Sequence, residues 1–142
     1  FLQQFNARSN KPNEDFFCLV PKLTHLNLAN NFIREFDFNI DCIINNKHFN
    51  LTKIDFEFNK IETISSSLVE KLKIIKARVS SFHIQLANNN FKCDCSLISF
   101  YLFLRDDQTK RVVSDRMALY CKHEDSLHVT LNKLIIDSEL DR

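Results

Sequence analysis

The sequence contains no glycine and no tryptophan, and it has only one methionine and two prolines. Loops that cradle phosphate groups, dinucleotide-binding fingerprints and nucleophile elbows need glycine where the backbone approaches a ligand or turns sharply. The absence of glycine therefore excludes most nucleotide-dependent enzymes and α/β-hydrolases. It also leaves the turns of the chain to Asn, Asp and Ser.

The chain also lacks a surplus of charge and a long apolar run. It carries 19 basic and 18 acidic side chains in 142 residues, a formal net charge of +1. Without a basic surplus or a Lys/Arg-rich run, binding to nucleic acid is not expected. The longest apolar run, residues 97–104, is far shorter than the roughly 20 residues of a membrane-spanning helix. We therefore expect no membrane segment within this chain.

Three stretches repeat one pattern of apolar residues around an asparagine. Apolar side chains stand eight, five and three positions before the Asn and two positions after it, and only Ser81 departs from the rule. The asparagines are Asn31, Asn59 and Asn89, with a fainter copy around Asn10, so the copies lie 21, 28 and 30 residues apart. Self-similarity at such periods is typical of stacked repeat proteins.

The spacing has a direct physical interpretation. The positions five and three before each Asn alternate with polar neighbours, which predicts a short strand with one buried face. The Asn amide can bond backbone groups that the following turn leaves unpaired. Stacked copies would place these amides in a buried row, which persists only when every amide is hydrogen-bonded. The alternative is a set of unrelated amphipathic strands.

A helix is predicted at residues 67–78, between the second and third repeats. Ser67 and Glu70 have the spacing of a capping box, and an apolar stripe follows at helical spacing. We expect three lysines of this helix to face water: Lys71, Lys73 and Lys76. The inserted helix accounts for the longer period of the third repeat.

The repeated pattern resembles the leucine-rich repeat. From Asn89, the run NNFKCDCSLISFYLFL resembles the cysteine-rich C-terminal cap of extracellular leucine-rich repeat proteins, such as Slit-like and Toll-like receptor ectodomains. Asn90 stands where that cap usually has Pro, Phe103 stands where it has Trp, and the fourth cysteine is absent. The resemblance implies an α/β leucine-rich repeat solenoid with parallel strands on its concave face. About four repeats, the first one partial, would occupy residues 1–88, and a helical, disulfide-bonded cap residues 89–142.

The resemblance also implies how part of the cysteines pair. It joins Cys93 to Cys121 and leaves Cys95 without its natural partner. Cys18 and Cys42 lie 24 residues apart, close to one repeat, which is compatible with a disulfide between stacked neighbours or with two buried thiols. A zinc site of Cys93, Cys95, Cys121 and His123 is an alternative, but the Cys-x-Cys spacing is tighter than structural zinc sites use. We predict no metal and no cofactor.

Strand residues that do not point inward would form a ridge on the concave surface. The candidate binding residues are Asn6, His25, Asn27, Lys53, Asp55, Glu57, His83 and Gln85. A ridge of varied polar side chains suits recognition of a protein partner, and an ordinary solvated face is the alternative. We interpret Asp55 and Glu57 as a surface charge cluster rather than an acid/base pair.

Two aromatic residues and one sequon complete the candidates. Phe58 and Phe82 flank the strands at positions that are usually polar, and we expect both to pack under a neighbouring repeat rather than to anchor a partner. Asn50, in the sequence Asn-Leu-Thr, is a candidate glycosylation position.

The resemblance implies an extracellular protein-recognition module without enzymatic activity. The chain would be the C-terminal part of a receptor, adhesion protein or secreted protein that binds a protein ligand or co-receptor at the cell surface. The alternative is a purely structural end that stabilises a longer array whose ligand binds elsewhere. Because the chain opens inside a repeat and shows no signal peptide, we expect a fragment of a longer protein.

Overall fold

The computed structural model describes residues 15–122 and the backbone of strand His128–Thr130. Three features of the sequence analysis lie outside the described residues. They are the predicted partial repeat around Asn10, the candidate binding residue Asn6, and His123 of the alternative zinc site. In chain order the elements are α1 (Phe16–Leu19), β1 (His25–Asn27), α2 (Asp41–Ile44), β2 (Lys53–Asp55), α3 (Ser66–Arg78), β3 (His83–Gln85), α4 (Ile98–Arg105), β4 (Tyr120–Lys122) and β5 (His128–Thr130). Three single-turn 3₁₀ helices are interspersed: Cys95–Leu97, Lys110–Val112 and Arg116–Ala118.

The three repeats form one parallel sheet in the order β1-β2-β3. Leu26 pairs with Ile54 and Ile54 with Ile84, and all three side chains are buried. The apolar positions on either side of each repeated asparagine are buried as well, whereas the exception Ser81 is exposed. The predicted strands and their inward faces are therefore confirmed for the described repeats.

Asn59 shows how the buried amides hold neighbouring repeats together. Its Nδ2 donates to the carbonyl of Leu28 in the preceding repeat at 2.8 Å and to that of Phe56 in its own repeat at 3.0 Å. Its Oδ1 accepts from the backbone N–H of Ile33 at 3.1 Å. One side chain thus bonds both to its own turn and to the turn before it.

Asn89 makes the same bonds one repeat later. It donates to Phe56 and Leu86 at 3.0 and 2.9 Å and accepts from Ile61 at 2.9 Å. Asn31 donates to the Leu28 carbonyl at 2.9 Å. The predicted row of hydrogen-bonded amides is confirmed for these three repeats.

The residue before each of these asparagines has a left-handed backbone. The φ angles are 59° at Asn30, 58° at Phe58 and 63° at Asn88. Asn enters this region more readily than other non-glycine residues, so it replaces glycine at two of the three turns. Phe58 is the exception, and its side chain is 52% exposed. Our expectation that Phe58 packs under the next repeat is therefore wrong, whereas Phe82 is fully buried as expected.

Helix α3 begins one residue earlier than predicted and has a different cap. Ser65, not Ser67, is the N-cap, and its hydroxyl accepts from the Leu68 N–H at 3.1 Å. The predicted capping box is wrong because Ser67 lies inside the first turn. The apolar stripe is confirmed, with four of the helix's side chains buried: Leu68, Val69, Leu72 and Ile75.

Lys71 does not extend freely into water as predicted. Its Nζ lies 2.6 Å from a carboxylate oxygen of Asp37 and 2.8 Å from the carbonyl oxygen of Phe38, and it sits 5.7 Å from the Phe38 ring centroid. The ammonium group therefore ties α3 to the turn that follows the first described repeat. The periodic pattern of α3 alone gives no sign of this contact, because its partner is 34 residues away.

Aromatic residues fill the side of the core opposite the sheet. Phe17 of α1 packs edge-on against Phe38 and Phe49. A disulfide joins Cys18 of α1 to Cys42 of α2, with Cα atoms 4.8 Å apart. Of the two possibilities for these cysteines, the structure thus contains the bridge.

The segment 91–122 closes the end of the core beyond β3. Phe91 and Phe100 stack with ring centroids 5.5 Å apart, and Phe103 is buried beside them. A disulfide joins Cys93 to Cys121, which is fully buried, and Cys95 is an exposed free thiol. The pairing implied by the cap resemblance is present.

Candidate functional site

The outward side chains of β1, β2 and β3 form rows in register, which we term the polar strand face. His25, Lys53 and His83 make up the first row, at the amino ends of the strands. Asn27, Asp55 and Gln85 form the second row, and Glu57 lies just beyond β2. Except for the exposed His25, these side chains are half-buried. Within each row, side chains of different charge and polarity therefore follow one another from strand to strand about 4.8 Å apart.

The two histidines are held by local contacts and stand apart. The His25 Nδ1 lies 3.0 Å from the Thr24 hydroxyl, and the His83 Nδ1 lies 3.1 Å from the Ser81 carbonyl oxygen. Lys53 occupies the strand between them. A shared metal site on this row is accordingly not formed.

The second row also organises the turn that follows each strand. The Asn27 Oδ1 accepts from the Ala29 N–H at 3.0 Å, and the Asp55 Oδ1 accepts from the Glu57 N–H at 2.9 Å. Each side chain bonds the backbone two residues ahead, which fixes the direction in which the chain leaves the strand. These two residues are thus partly structural, whatever else they bind.

The third repeat obtains the same bond from a residue that sequence reasoning missed. Gln85 stands where the other repeats have Asn or Asp, and the Ala87 N–H is bonded instead by Asp115 at 2.8 Å. The other N–H in this turn, from Leu86, lies 3.0 Å from each carboxylate oxygen of Asp115. The signal in the sequence is Gln85 itself, since its longer side chain leaves this N–H for another acceptor.

Asp115 reaches β3 because residues 113–115 lie along the open edge of the sheet. Val113 forms a parallel bridge with Ile84, and the Ser114 N–H donates to the Ile84 carbonyl at 3.0 Å. We predicted a helical cap at residues 89–142, but its helix α4 packs beside α3, and the irregular segment 113–115 covers this edge. This segment gives backbone groups on the strand edge direct hydrogen-bond partners, whereas the backbone groups inside a helix are already bonded to one another.

Replacing Asp115 by alanine is expected to destabilise the protein by about 2 to 3 kcal/mol, because two backbone N–H groups lose a charged acceptor. Urea unfolding of the disulfide-intact chain would measure this. Asp107→Ala is the matched control, since the exposed Asp107 side chain bonds only to Lys110 among the described residues. Its replacement should change stability by less than about 0.5 kcal/mol. Equal stability of the two variants would contradict the role of Asp115 as an edge acceptor.

Three carboxylates approach one another at the carboxyl end of the polar strand face. Burial raises the pKa of Glu57, and the negative charges of Asp55 and Asp115 raise it further, whereas Lys53 opposes the shift. This raised pKa could not be predicted from the local sequence, because Asp115 lies 58 residues beyond Glu57. Among the described residues, no ion pair joins Asp55 or Glu57 to a lysine or arginine.

The cysteines do not assemble a metal centre. Asp15, Cys18 and Cys42 have potential ligand atoms within 4.8 Å of one another, but both sulfurs belong to a disulfide. Cys93 and Cys121 of the alternative zinc site are also bonded to each other. A disulfide sulfur is not the thiolate that zinc binds. Within residues 15–122, no helix is long and apolar enough to cross a membrane.

No protein-family profile matches the sequence, and no curated protein matches it significantly. Among solved structures, the chain is similar to human 5T4, also called Wnt-activated inhibitory factor 1 or trophoblast glycoprotein. The TM-score is 0.71, with 21% sequence identity, over 87% of this chain and 41% of that chain.

The chain is also similar to a chain of the glycosylated Toll–Spätzle complex of Drosophila. The TM-score is 0.57, with 21% identity, over 78% of this chain and 12% of that chain. The neighbours are leucine-rich repeat proteins, and at this identity the likeness concerns the fold. This chain therefore shares a leucine-rich repeat type of fold and spans less than half the length of either protein.

Proposed function

We propose that this chain is the C-terminal part of an extracellular or cell-surface leucine-rich repeat protein, and that it recognises a protein partner. The repeats (1–88) would continue into a solenoid whose concave surface is the polar strand face, and residues 89–142 would form its cap. The observation that carries the proposal is the polar strand face itself: three parallel strands in register present varied polar groups in rows on one side of the sheet. Such a surface is what repeat proteins offer to partners.

The disulfides support an extracellular location. Both pairs, Cys18 with Cys42 and Cys93 with Cys121, are formed, and structural disulfides persist in oxidising compartments. Asn50 is exposed just before β2, so its side chain is accessible to the glycosylation that we propose there. The neighbours that share the fold are, by name, a trophoblast glycoprotein and the glycosylated form of the Toll–Spätzle complex.

A second candidate function is structural. Asp115 and Val113 complete the hydrogen bonding of the last strand of the sheet, which is the role of an end cap in a repeat array. In that case the partner of the whole protein would bind at other repeats. The two functions differ in whether the polar strand face touches another protein.

Photo-crosslinking separates these two functions. Benzoylphenylalanine is placed at Asn27 or Gln85, on the polar strand face. On cells of the organism that makes the protein, it is expected to crosslink the full-length protein to one discrete partner. The matched position is Ser67, which is exposed on α3 and should give no such product. Absence of a product from both face positions, or equal products from all three positions, would reject recognition through this face and favour the structural function.

A further inference from the structure

The carboxyl end of the polar strand face combines negative charge with exposed aromatic surface. Asp55 and Asp115 lie close enough to Glu57 for their negative charges to act on its carboxylate, and the positive charge of Lys53 acts in the opposite direction. Phe58 follows Glu57 directly, and its side chain is 52% exposed.

A second aromatic side chain belongs to the same end of the sheet. The Asn30 N–H donates to the Glu57 carbonyl at 3.0 Å, and the Lys60 N–H donates to the Ile33 carbonyl at 2.8 Å. These bonds place the turns 30–33 and 57–60 side by side. Phe32, in the first of these turns, is 63% exposed. We term Asp55, Glu57, Phe32 and Phe58 the acidic–aromatic corner.

We propose that the acidic–aromatic corner binds a basic segment of a protein partner, whose Arg or Lys pairs with Asp55 and Glu57 while a nearby apolar side chain packs on Phe58 and Phe32. The inference rests on the proposed function, because it names the chemistry of the partner of that same face. Charge complementarity selects the partner: among the described residues, the carboxylates of the corner form no ion pair with a lysine or arginine.

Arginine fits both halves of the corner. Its guanidinium group donates two parallel hydrogen bonds to a carboxylate and also stacks on an aromatic ring. Aromatic side chains with large exposed area are the residues that most often anchor protein interfaces. A bare metal ion would use the carboxylates but leave Phe58 and Phe32 without a role.

Three matched peptides test the inference. A fluorescein-labelled peptide of alternating Arg, Ser and Leu is compared with peptides in which Gln or Glu replaces Arg, by fluorescence anisotropy with the disulfide-intact chain at low ionic strength. The Arg peptide is expected to bind at least about tenfold more tightly than the Gln peptide, and the Glu peptide more weakly than either. The ratio of the affinities for the Arg and Gln peptides should fall as salt is added, because salt screens the charges.

Substitutions in the corner distinguish charge from aromatic contact. The double variant D55N/E57Q should bind the Arg peptide about tenfold more weakly than the wild type does. Asn is compatible with the turn at position 55, because Asn27 makes the equivalent turn bond in the preceding repeat. Phe58→Asn should weaken it about fivefold, while its fold stays intact because Asn occupies the equivalent turns at Asn30 and Asn88. E70Q/D107N is the matched control: it removes two charges from exposed positions on α3 and after α4 and should leave affinity unchanged.

Several results would overturn the inference. They are equal binding of the Arg and Gln peptides, undiminished binding to D55N/E57Q, or an equal loss with the control variant E70Q/D107N. Failure of the Arg peptide overturns only the assignment of a basic partner. Crosslinking from Asn27 or Gln85 tests recognition regardless of the partner's charge, so the two failures are distinguishable.

Discussion

Replacing Asn59 by alanine is expected to destabilise the protein by about 3 to 4 kcal/mol. The side chain is 2% exposed, and it bonds the backbone of two repeats. The carbonyls of Leu28 and Phe56 would each keep a second donor, from Asn31 and Asn89. The Ile33 N–H would lose its acceptor, and an unsatisfied buried N–H costs about 1 to 3 kcal/mol. The lost bonds to the carbonyls and the space left by the amide account for the remainder.

Urea unfolding of the disulfide-intact chain measures this change. Asn90→Ala is the matched control, because Asn90 is exposed and its variant should differ from the wild type by less than about 0.5 kcal/mol. Asn59→Asp should be at least as destabilising as Asn59→Ala at neutral pH, since a carboxylate would face two carbonyl oxygens. A loss below about 1 kcal/mol for Asn59→Ala would show that the amide row is not a main source of stability.

Removal of the Cys93–Cys121 disulfide is expected to destabilise the protein by about 3.5 kcal/mol. The pair encloses a loop with a sequence separation of 28, and the chain-entropy treatment gives this value for the freedom restored to the unfolded chain. C93A/C121A also leaves a gap beside a fully buried position, Cys121, so its loss should exceed that of C18A/C42A. The latter pair has a similar separation of 24 but one exposed member, Cys18.

Calorimetry or urea unfolding of the wild type, C93A/C121A and C18A/C42A under non-reducing conditions tests whether C93A/C121A is the least stable of the three. Cys95→Ser serves as the control because Cys95 is an exposed, unbonded thiol, and its replacement should change stability by less than about 0.5 kcal/mol. If C93A/C121A unfolded at the same urea concentration as the wild type, the disulfide that closes the segment 91–122 on itself would not contribute to the stability of the fold.

The periodic part of the fold could be predicted because it depends on spacing alone. The inward apolar residues and the row of asparagines recur at fixed offsets, so each repeat supports the assignment of the next. The position of Cys93 and Cys121 followed from a resemblance, and the Cys18–Cys42 bridge was one of two open possibilities. Contacts that link one repeat to a distant segment have no such period.

Four features illustrate what spacing leaves out. The Lys71 ammonium group pairs with Asp37, and Ser65 rather than Ser67 caps α3. Asp115 completes the hydrogen bonding at the edge of β3, and Phe58 stays exposed. Each depends on where the backbone of another segment passes, which the local pattern does not specify. For the candidate site, the sequence predicted which side chains line the polar strand face, but not that Asp115 would add its charge beside Glu57.

The amide row also has a direction, and this bears on the order in which the protein folds during synthesis. Asn59 and Asn89 each bond the repeat before them, never the repeat after. Because the ribosome delivers the amino-terminal repeats first, the first two described repeats lack these bonds until the next repeat has emerged. The last strand, β3, waits in the same way for Asp115. A nascent chain halted before residue 115 would therefore expose an unfinished sheet edge. Residues 113–115, which follow all three repeats in the sequence, are the ones that protect this edge from pairing with another chain.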